Sequence, residues 1–252
     1  MIANNKTMPR GAEFLETAAR VETQCSVESL SEMPKLGIST PACYEFLGDL
    51  LSMLYEEASC FHGCVGGDHF FQRLTARIVT HSLSSLRLAL LGYYDESLAL
   101  TRNLGEIANL LFLFAAQPDL LKTWRSVDER KRKRDFSPAN VRRKLEEMHL
   151  QPPIDQSRYS LLCEVGVHLV PSVSPQAFNE HDRPTLGAKF QYEGLMCTLN
   201  ELSITVAESA ACVSVFPHVG DRRESLQMAA QLLLNVVGDL DLNLVRKGGT
   251  GV

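Results

Sequence analysis

The chain has 252 residues, of which 45% are hydrophobic and 22% are charged, and its formal net charge is −5. This composition is that of a globular protein with a packed core, and it excludes a collagen-like chain, a disulfide-dense miniprotein and a largely disordered protein. The 7 cysteines are odd in number and irregularly spaced, which favours reduced thiols over a disulfide framework.

No segment is predicted to cross a membrane. The most apolar run, residues 107–116, is about half of the roughly 20 residues that a membrane-spanning helix needs, and Asn109 interrupts it. At the amino terminus, polar residues arrive before an apolar stretch of signal-peptide length can form. We therefore expect a cytoplasmic protein.

Apolar residues recur at helical spacing along most of the chain, and almost no stretch alternates with period two. Residues 1–38 are predicted to be a flexible amino-terminal arm with one short amphipathic pattern. Helices are then predicted, in chain order, over residues 41–59, 68–92, 95–116, a short stretch from Pro118, 138–149, 159–170, 190–215 and 222–240.

These elements predict an all-α protein, a single bundle of about seven helices over residues 39–243, followed by a flexible tail at 244–252. Residues 211–219 are the one stretch β-branched enough to compete as a strand. Ser137-Pro138 is a clear helix start, because an N-cap residue precedes a proline at the first helical position.

The third long helix in this order carries a polar stripe. At about 100° per residue, Asp95, Arg102, Glu106 and Asn109 fall within roughly 60° of one another. One interpretation is a solvent-facing stripe with a weak Arg–Glu ion pair, which contributes little to stability. The other is that a second helix covers the stripe and makes it a site.

The helix predicted to contain His168 is the candidate cover. Glu164 precedes His168 by four residues, so its carboxylate can orient the imidazole ring. Gly166 lies between them and permits another helix to approach closely. We therefore expect this helix to cover Arg102 and Glu106.

Several motifs together resemble a known family. In chain order they are GYYDESLALxRxLxE from Gly92, Trp124, Phe136-Ser-Pro with Val141-Arg142, Tyr159-x-x-Leu-Cys-Glu with His168, and Gly187-x-x-Phe190. Over about residues 68–240 the chain resembles a widespread bacterial family of all-helical proteins known as a domain of unknown function. Its recurring polar positions are similar to Arg102, Glu106 and His168, so the resemblance implies that these three meet in the fold. It implies no reaction.

Cys60-Phe-His-Gly-Cys64, followed by Asp68 and His69, is the one metal-like cluster in the sequence. Zinc sites usually draw two pairs of ligands from separated segments, and a second Cys/His pair at suitable spacing is missing. We therefore expect thiols at a helix end in a glycine-rich turn, with no metal and no cofactor.

Positive charge concentrates in residues 125–144, where nine Lys or Arg side chains stand against three acidic ones. The run predicts either a contact with nucleic acid, which would neutralise phosphates, or a solvated helix face. The candidate nucleic-acid contacts are Arg130, Arg132, Arg134, Arg142 and Arg143.

Two hypotheses about function follow. A non-catalytic interaction or regulatory module, with an unknown protein partner or a second copy of the chain, is favoured because serine-triad, P-loop, Rossmann and paired-cysteine redox motifs are absent from the sequence. The alternative is a nuclease-like or other hydrolytic bundle with Arg102, Glu106 and His168 as catalytic residues. Convergence of these three side chains in a pocket would favour the alternative.

Overall fold

The computed structural model describes residues 8–36, 39–64, 66–167 and 185–237. Over these ranges the chain forms ten α-helices and two short 3-10 helices, with no β-strand. The all-α prediction is confirmed, and the predicted count of about seven helices is wrong. The 3-10 helices span Met33–Lys35 and Gly220–Arg222. The α-helices are α1 (Ala12–Glu32), α2 (Ser39–Ala58), α3 (Phe70–Leu90), α4 (Tyr94–Ala116), α5 (Pro118–Ser126), α6 (Glu129–Asp135), α7 (Pro138–Glu147), α8 (Gln156–Gly166), α9 (Tyr192–Ser214) and α10 (Arg223–Val236).

The helix count differs from the prediction mainly at α1 and α6. α1 has 21 residues, far more than the short pattern expected in an amino-terminal arm, and Cys25 and Ser29 in its second half are buried. α6 forms within the charged run because the Asp128 carboxylate caps it, accepting a hydrogen bond from the backbone N–H of Lys131 at 2.8 Å. Basic residues fill the last turn of α6, where the helix dipole favours them.

Two local predictions can be compared directly with the structure. The Ser137 side chain accepts a hydrogen bond from the backbone N–H of Asn140, so the predicted cap at the start of α7 is confirmed. Residues 211–219, which competed as a strand, continue α9 as far as Ser214 and then turn.

α4 is the central helix of the fold, since it packs against α3, α5, α7, α8 and α9. Leu104, Leu111 and Phe114 on α4 are buried in an apolar cluster to which α2, α3, α9 and α10 also contribute. By length and composition α4 is also the one described helix apolar enough to cross a membrane, and 50% of its most apolar window is buried against other parts of the chain.

A close contact joins the start of α4 to the start of α9. Tyr94 is fully buried, and its hydroxyl accepts a hydrogen bond from the backbone N–H of Gln191 at 2.9 Å. Gly194 leaves room for the aromatic ring, because a Cβ atom at this position would lie 2.5 Å from Cδ2 of Tyr94. The close approach of the two helices therefore requires glycine at position 194.

We expect Gly194→Ala to lower the free energy of unfolding by about 1–3 kcal/mol, because the added methyl group would overlap the buried Tyr94 ring. Gly48→Ala in α2 is the matched control, since nothing lies within 4 Å of a Cβ atom added there. Helix propensity should make that control neutral or more stable by up to about 1 kcal/mol. Urea unfolding followed by circular dichroism measures both variants, and equal effects would contradict the tight contact at Gly194.

Candidate functional site

Arg102 and Glu106 lie one turn apart on α4 and form an ion pair, with Nη2 of Arg102 2.6 Å from Oε1 of Glu106. Their side chains are only 20% and 28% exposed, because α8 packs across this part of α4. Gly166 makes the approach possible, since a Cβ atom there would lie 2.8 Å from the backbone oxygen of Asp95. The expected cover of Arg102 and Glu106 is therefore present, and α8 provides it; this helix ends at Gly166, whereas the predicted helix continued through His168, which lies outside the described residues.

Tyr159 of α8 bridges the ion pair. Its hydroxyl accepts a hydrogen bond from Nη2 of Arg102 and donates one to Oε1 of Glu106 at 2.9 Å. The Arg102 guanidinium also donates from Nε to Sγ of Cys163 at 3.0 Å and from Nη1 to Oδ1 of Asn103 at 3.1 Å. Every nitrogen of this guanidinium thus has a partner within the protein.

Burial raises the pKa of the Tyr159 hydroxyl; the hydrogen bond from Arg102 opposes this shift, and the acceptor Glu106 adds to it. The hydroxyl is therefore protonated at neutral pH, as a donor to a carboxylate must be. Because Oε1 of Glu106 accepts from both Tyr159 and Arg102, that oxygen is fully engaged in the network. We call Arg102, Glu106, Tyr159 and Cys163 the α4–α8 network.

The ring of Tyr159 also contacts Arg142 of α7, whose guanidinium carbon lies 4.1 Å from the ring centroid. Arg142 is only 4% exposed, and its Nε and Nη2 donate to Oε1 of Gln156 at 3.1 and 2.7 Å. Arg142 was a candidate nucleic-acid contact, but this placement uses it to pack α7 against α8 and withdraws it from the surface.

Two carboxylates of α9, Glu201 and Glu208, lie near Arg158 of α8. Arg158 of α8 pairs with Glu201, with Nη2 2.6 Å from Oε2, and the Glu201 side chain is 6% exposed. Burial raises the pKa of Glu201 and of Glu208, and Arg158 opposes the shift in each case. Glu208 also lines an open pocket of about 410 Å³ together with Phe112 and the loop at Pro152.

Sequence reasoning missed Glu201, Glu208 and Arg158. A seven-residue spacing was the available signal, because it places Glu201 and Glu208 two turns apart on one helix face. In the sequence two acids at this spacing look like ordinary surface positions of a helix, yet Glu201 is buried and Glu208 is partly buried. Their importance comes from burial, which spacing does not show.

The other predicted site residues have different outcomes. Asn109 is buried, and its side-chain amide exchanges two hydrogen bonds with the backbone of Ile154, at 2.8 and 2.9 Å. It therefore ties the loop before α8 to α4. His168, the third predicted catalytic residue, lies outside the described residues. The structure brings Arg102 and Glu106 together, and it does so with Tyr159 as their bridge.

Within the basic segment, Arg132 also turns toward the protein. Its Nε and Nη2 donate to the backbone oxygens of Trp124 and Val127 at 3.0 and 2.9 Å, and its guanidinium carbon lies 5.2 Å from the Trp124 ring centroid. This side chain fastens α6 to the end of α5, so it serves the local fold.

The remaining candidate contacts of the basic segment are exposed, and two of them have acidic partners. Arg134 pairs with Asp135 at 2.7 Å, and Arg143 lies 3.6 Å from Glu147 on the next turn. Arg130 is exposed on α6. Short-range pairing therefore neutralises part of the local positive charge.

An open apolar groove of about 510 Å³ runs between α2 and α3. Its walls are formed by Tyr44, Gly48, Leu51, Ser52, Tyr55, Glu56, Phe61, Val79, Leu83 and Leu86. Three large side chains of these walls, Tyr55, Phe61 and Leu83, are 63%, 71% and 49% exposed. An added Cβ atom at Gly48 would meet no atom within 4 Å, so this position leaves the groove open.

Comparison of the chain with protein-family models, with curated proteins and with solved structures finds no match in any of the three. The resemblance carried by the motifs around Arg102 and Tyr159 therefore stays a prediction. A function for this protein must therefore be inferred from the contacts, the burial and the charges of its own residues.

We expect Tyr159→Phe to lower the free energy of unfolding by about 1–3 kcal/mol, because Arg102 and Glu106 lose their shared partner where water reaches poorly. Combined with Glu106→Gln in a double-mutant cycle, it should show a coupling of at least about 0.5 kcal/mol. Tyr55→Phe removes the same hydroxyl from a side chain that is 63% exposed and should change stability by less than about 0.5 kcal/mol. Additive effects of the two network variants would contradict the bridge.

The raised pKa of Glu208 gives a pH-dependent expectation. The folded state holds the proton of this carboxyl more tightly than the unfolded chain, so its contribution to stability is lost as pH rises from the ordinary glutamate range through the raised pKa. Glu208→Gln keeps the side chain neutral, so we expect it to be more stable than the wild-type protein at about pH 7, with the difference vanishing near pH 4.

Urea unfolding at the two pH values measures this difference. Glu146→Gln on α7, where the side chain is exposed, controls for the loss of one negative charge. A Glu208→Gln variant that is less stable than the wild type at neutral pH would mean that the ionised carboxylate stabilises the fold.

Proposed function

We propose that this protein is a non-catalytic interaction module, a single helical bundle whose α2/α3 groove binds an amphipathic, basic helix of a partner protein. The observation that carries the proposal is a difference in exposure between the α4–α8 network and the α2/α3 groove. The α4–α8 network pairs its charged groups internally, whereas the groove leaves Tyr55 and Phe61 mostly exposed. Exposed aromatic side chains that a partner could contact therefore lie at the groove.

The arrangement of the α4–α8 network favours a structural role for it. A general base must reach the proton of its substrate at hydrogen-bond distance. Oε1 of Glu106 is already bound by Arg102 and by Tyr159, and Arg102 in turn contacts Cys163. Oε1 would have to give up one of these contacts before it could accept a proton from a substrate.

The groove has the properties of a helix-binding surface. It is open and lined mainly by apolar and aromatic side chains of α2 and α3. Partner helices commonly dock apolar side chains spaced one turn apart into grooves of this kind, and tyrosine is enriched among the residues that dominate such binding. Tyr44 and Tyr55 lie at the two ends of the α2 wall.

Negative charge beside the groove indicates that the partner helix is basic. Glu45 and Asp49 are exposed on α2 and follow directly after the groove residues Tyr44 and Gly48. Since successive helix residues are about 100° apart, these carboxylates flank the apolar wall. A partner helix with lysine or arginine beside its apolar face would complement both features.

A designed peptide tests the groove without knowledge of the natural partner. The probe is a labelled helix of about 18 residues with leucine on one face and lysine on the other, and its comparison peptide carries glutamate in place of lysine. We expect one lysine peptide to bind per chain, and the glutamate peptide to bind at least about tenfold more weakly. Fluorescence anisotropy measures both affinities.

Two variants assign the binding to the groove. Gly48→Phe fills the open floor, and Tyr55→Ser removes an exposed aromatic wall, so each should weaken binding at least about tenfold. Met228→Ser on α10 is the control, because this apolar side chain is equally 63% exposed but lies outside the groove. Binding that both groove variants leave unchanged would exclude the groove. Self-association abolished by Gly48→Phe would replace the partner helix by a second copy of the chain.

A further inference from the structure

The loop between α2 and α3 brings three metal-ligating side chains together. Cys60, Cys64 and His69 each offer one ligand atom, and these three atoms lie within 4.8 Å of one another. Sγ of Cys64 and Nε2 of His69 are in direct contact at 3.2 Å. We propose that Cys60, Cys64 and His69 bind one zinc ion and leave its fourth coordination position open to water or to an external ligand.

The donor set selects the class of metal. Two thiolates and one imidazole nitrogen suit zinc, whereas calcium and magnesium require oxygen ligands. At zinc bond lengths of about 2.3 Å to sulfur and 2.0–2.1 Å to nitrogen, tetrahedral ligand atoms stand roughly 3.3–3.8 Å apart. The contact between Cys64 and His69 is already near this separation, and the exposed Cys60 side chain has only a short distance to close.

The backbone fixes His69 and brings the two cysteines near it before any ion arrives. A turn follows Cys60, closed by a hydrogen bond from the N–H of Gly63 to the Cys60 oxygen at 3.0 Å, and Gly63, its last residue, has a left-handed φ of 98° that glycine adopts without strain. His69 also has a left-handed φ, 52°, which is uncommon for a residue with a side chain. Its oxygen accepts the N–H of Arg73 at 2.9 Å, so this conformation is fixed at the start of α3.

A neighbouring ion pair anchors the segment that carries the third ligand. The Asp68 carboxylate pairs with Arg125 of α5 and accepts a hydrogen bond from the N–H of Phe70 at 3.1 Å. The guanidinium carbon of Arg125 lies 4.8 Å from the Phe70 ring centroid. Because Asp68 is engaged in this way, His69 is held at a fixed place beside the cysteines, and Asp68 is not needed as a ligand.

The sequence led us to expect no metal here because a second ligand pair was missing. The structure supplies His69 as a third ligand and leaves one position open, the pattern of exchangeable and catalytic zinc sites rather than of closed structural ones. The 7 cysteines divide accordingly: Cys60 and Cys64 are exposed, and the other five are buried. Zinc can therefore reach these two thiols without any unfolding.

Cobalt provides the direct test, because it reports thiolate and tetrahedral coordination in its absorption spectrum. Untagged, reduced protein is stripped of metal with a chelator and titrated with Co²⁺. We expect one equivalent to bind with thiolate-to-cobalt charge-transfer bands, and one equivalent of Zn²⁺ to remove them. The circular dichroism spectrum should stay the same with and without metal, since the ligands lie in one exposed loop.

Ligand variants identify the donor set. Cys60→Ser, Cys64→Ser and His69→Asn should each weaken zinc binding by more than the roughly 10–100-fold that loss of a ligand's supporting partner costs. Asparagine is chosen at position 69 because it tolerates the left-handed backbone, so a lost affinity reports the lost imidazole. Circular dichroism confirms that each variant is folded.

His62→Ala is the matched control in the same loop, because Nε2 of His62 faces Glu56 at 3.1 Å and lies outside the cluster. It should bind zinc with the wild-type affinity. The proposal is overturned if the reduced protein shows no thiolate-to-cobalt bands, if His69→Asn binds as tightly as the wild type, or if excess zinc leaves Cys60 and Cys64 free to form a disulfide in air.

Discussion

α4 carries two charged side chains on a face that α8 largely covers, and this cover constrains much of the remaining packing. A buried ion pair that loses one partner costs about 3–5 kcal/mol, whereas an exposed pair contributes at most about 1 kcal/mol. Arg102 and Glu106 are mostly covered, so their stability depends on Tyr159 meeting both of them. α8 must therefore lie close to α4, and Gly166 allows it to do so.

This placement of α8 determines what surrounds it. Arg158 on α8 reaches the buried Glu201 of α9, while Gln156 at the start of α8 engages Arg142 of α7. Four helices thus meet through polar contacts around Tyr159 and Arg158, and the cost of burying these polar groups is offset only while all four stay together. Such a region is suited to holding a fold, and the surfaces free to act on other molecules lie elsewhere.

Helical periodicity predicted which residues of a single helix share a face. The angle between successive residues placed Arg102 and Glu106 on one stripe, and the absence of a side chain at Gly166 indicated a close approach. Tyr159 was not identified as the bridge, because a contact between two helices depends on how they are rotated and shifted, which the spacing within either one does not contain.

Residue spacing has the same limit in the basic segment and in the α2–α3 loop. A run of like charges was treated as one surface, yet Arg132 packs on Trp124 and Arg142 is buried, because long guanidinium side chains can cover aromatic rings. In the loop, the missing second Cys/His pair led to the expectation of no metal, and His69 was noted only as a neighbour of the cysteines. Its left-handed backbone, which accompanies the close contact between its ring and Cys64, cannot be deduced from residue spacing.

The α2–α3 loop also connects the two proposed activities in space. Phe61, which forms part of the groove wall, stands between Cys60 and His62 in the segment that supplies two of the proposed zinc ligands. An ion bound to Cys60 and Cys64 would reduce the conformations open to this short segment, and a side chain ordered in advance loses less entropy when a partner binds against it. Zinc at the loop and a helix in the groove would then favour each other's binding, and the coupling must be equal in both directions.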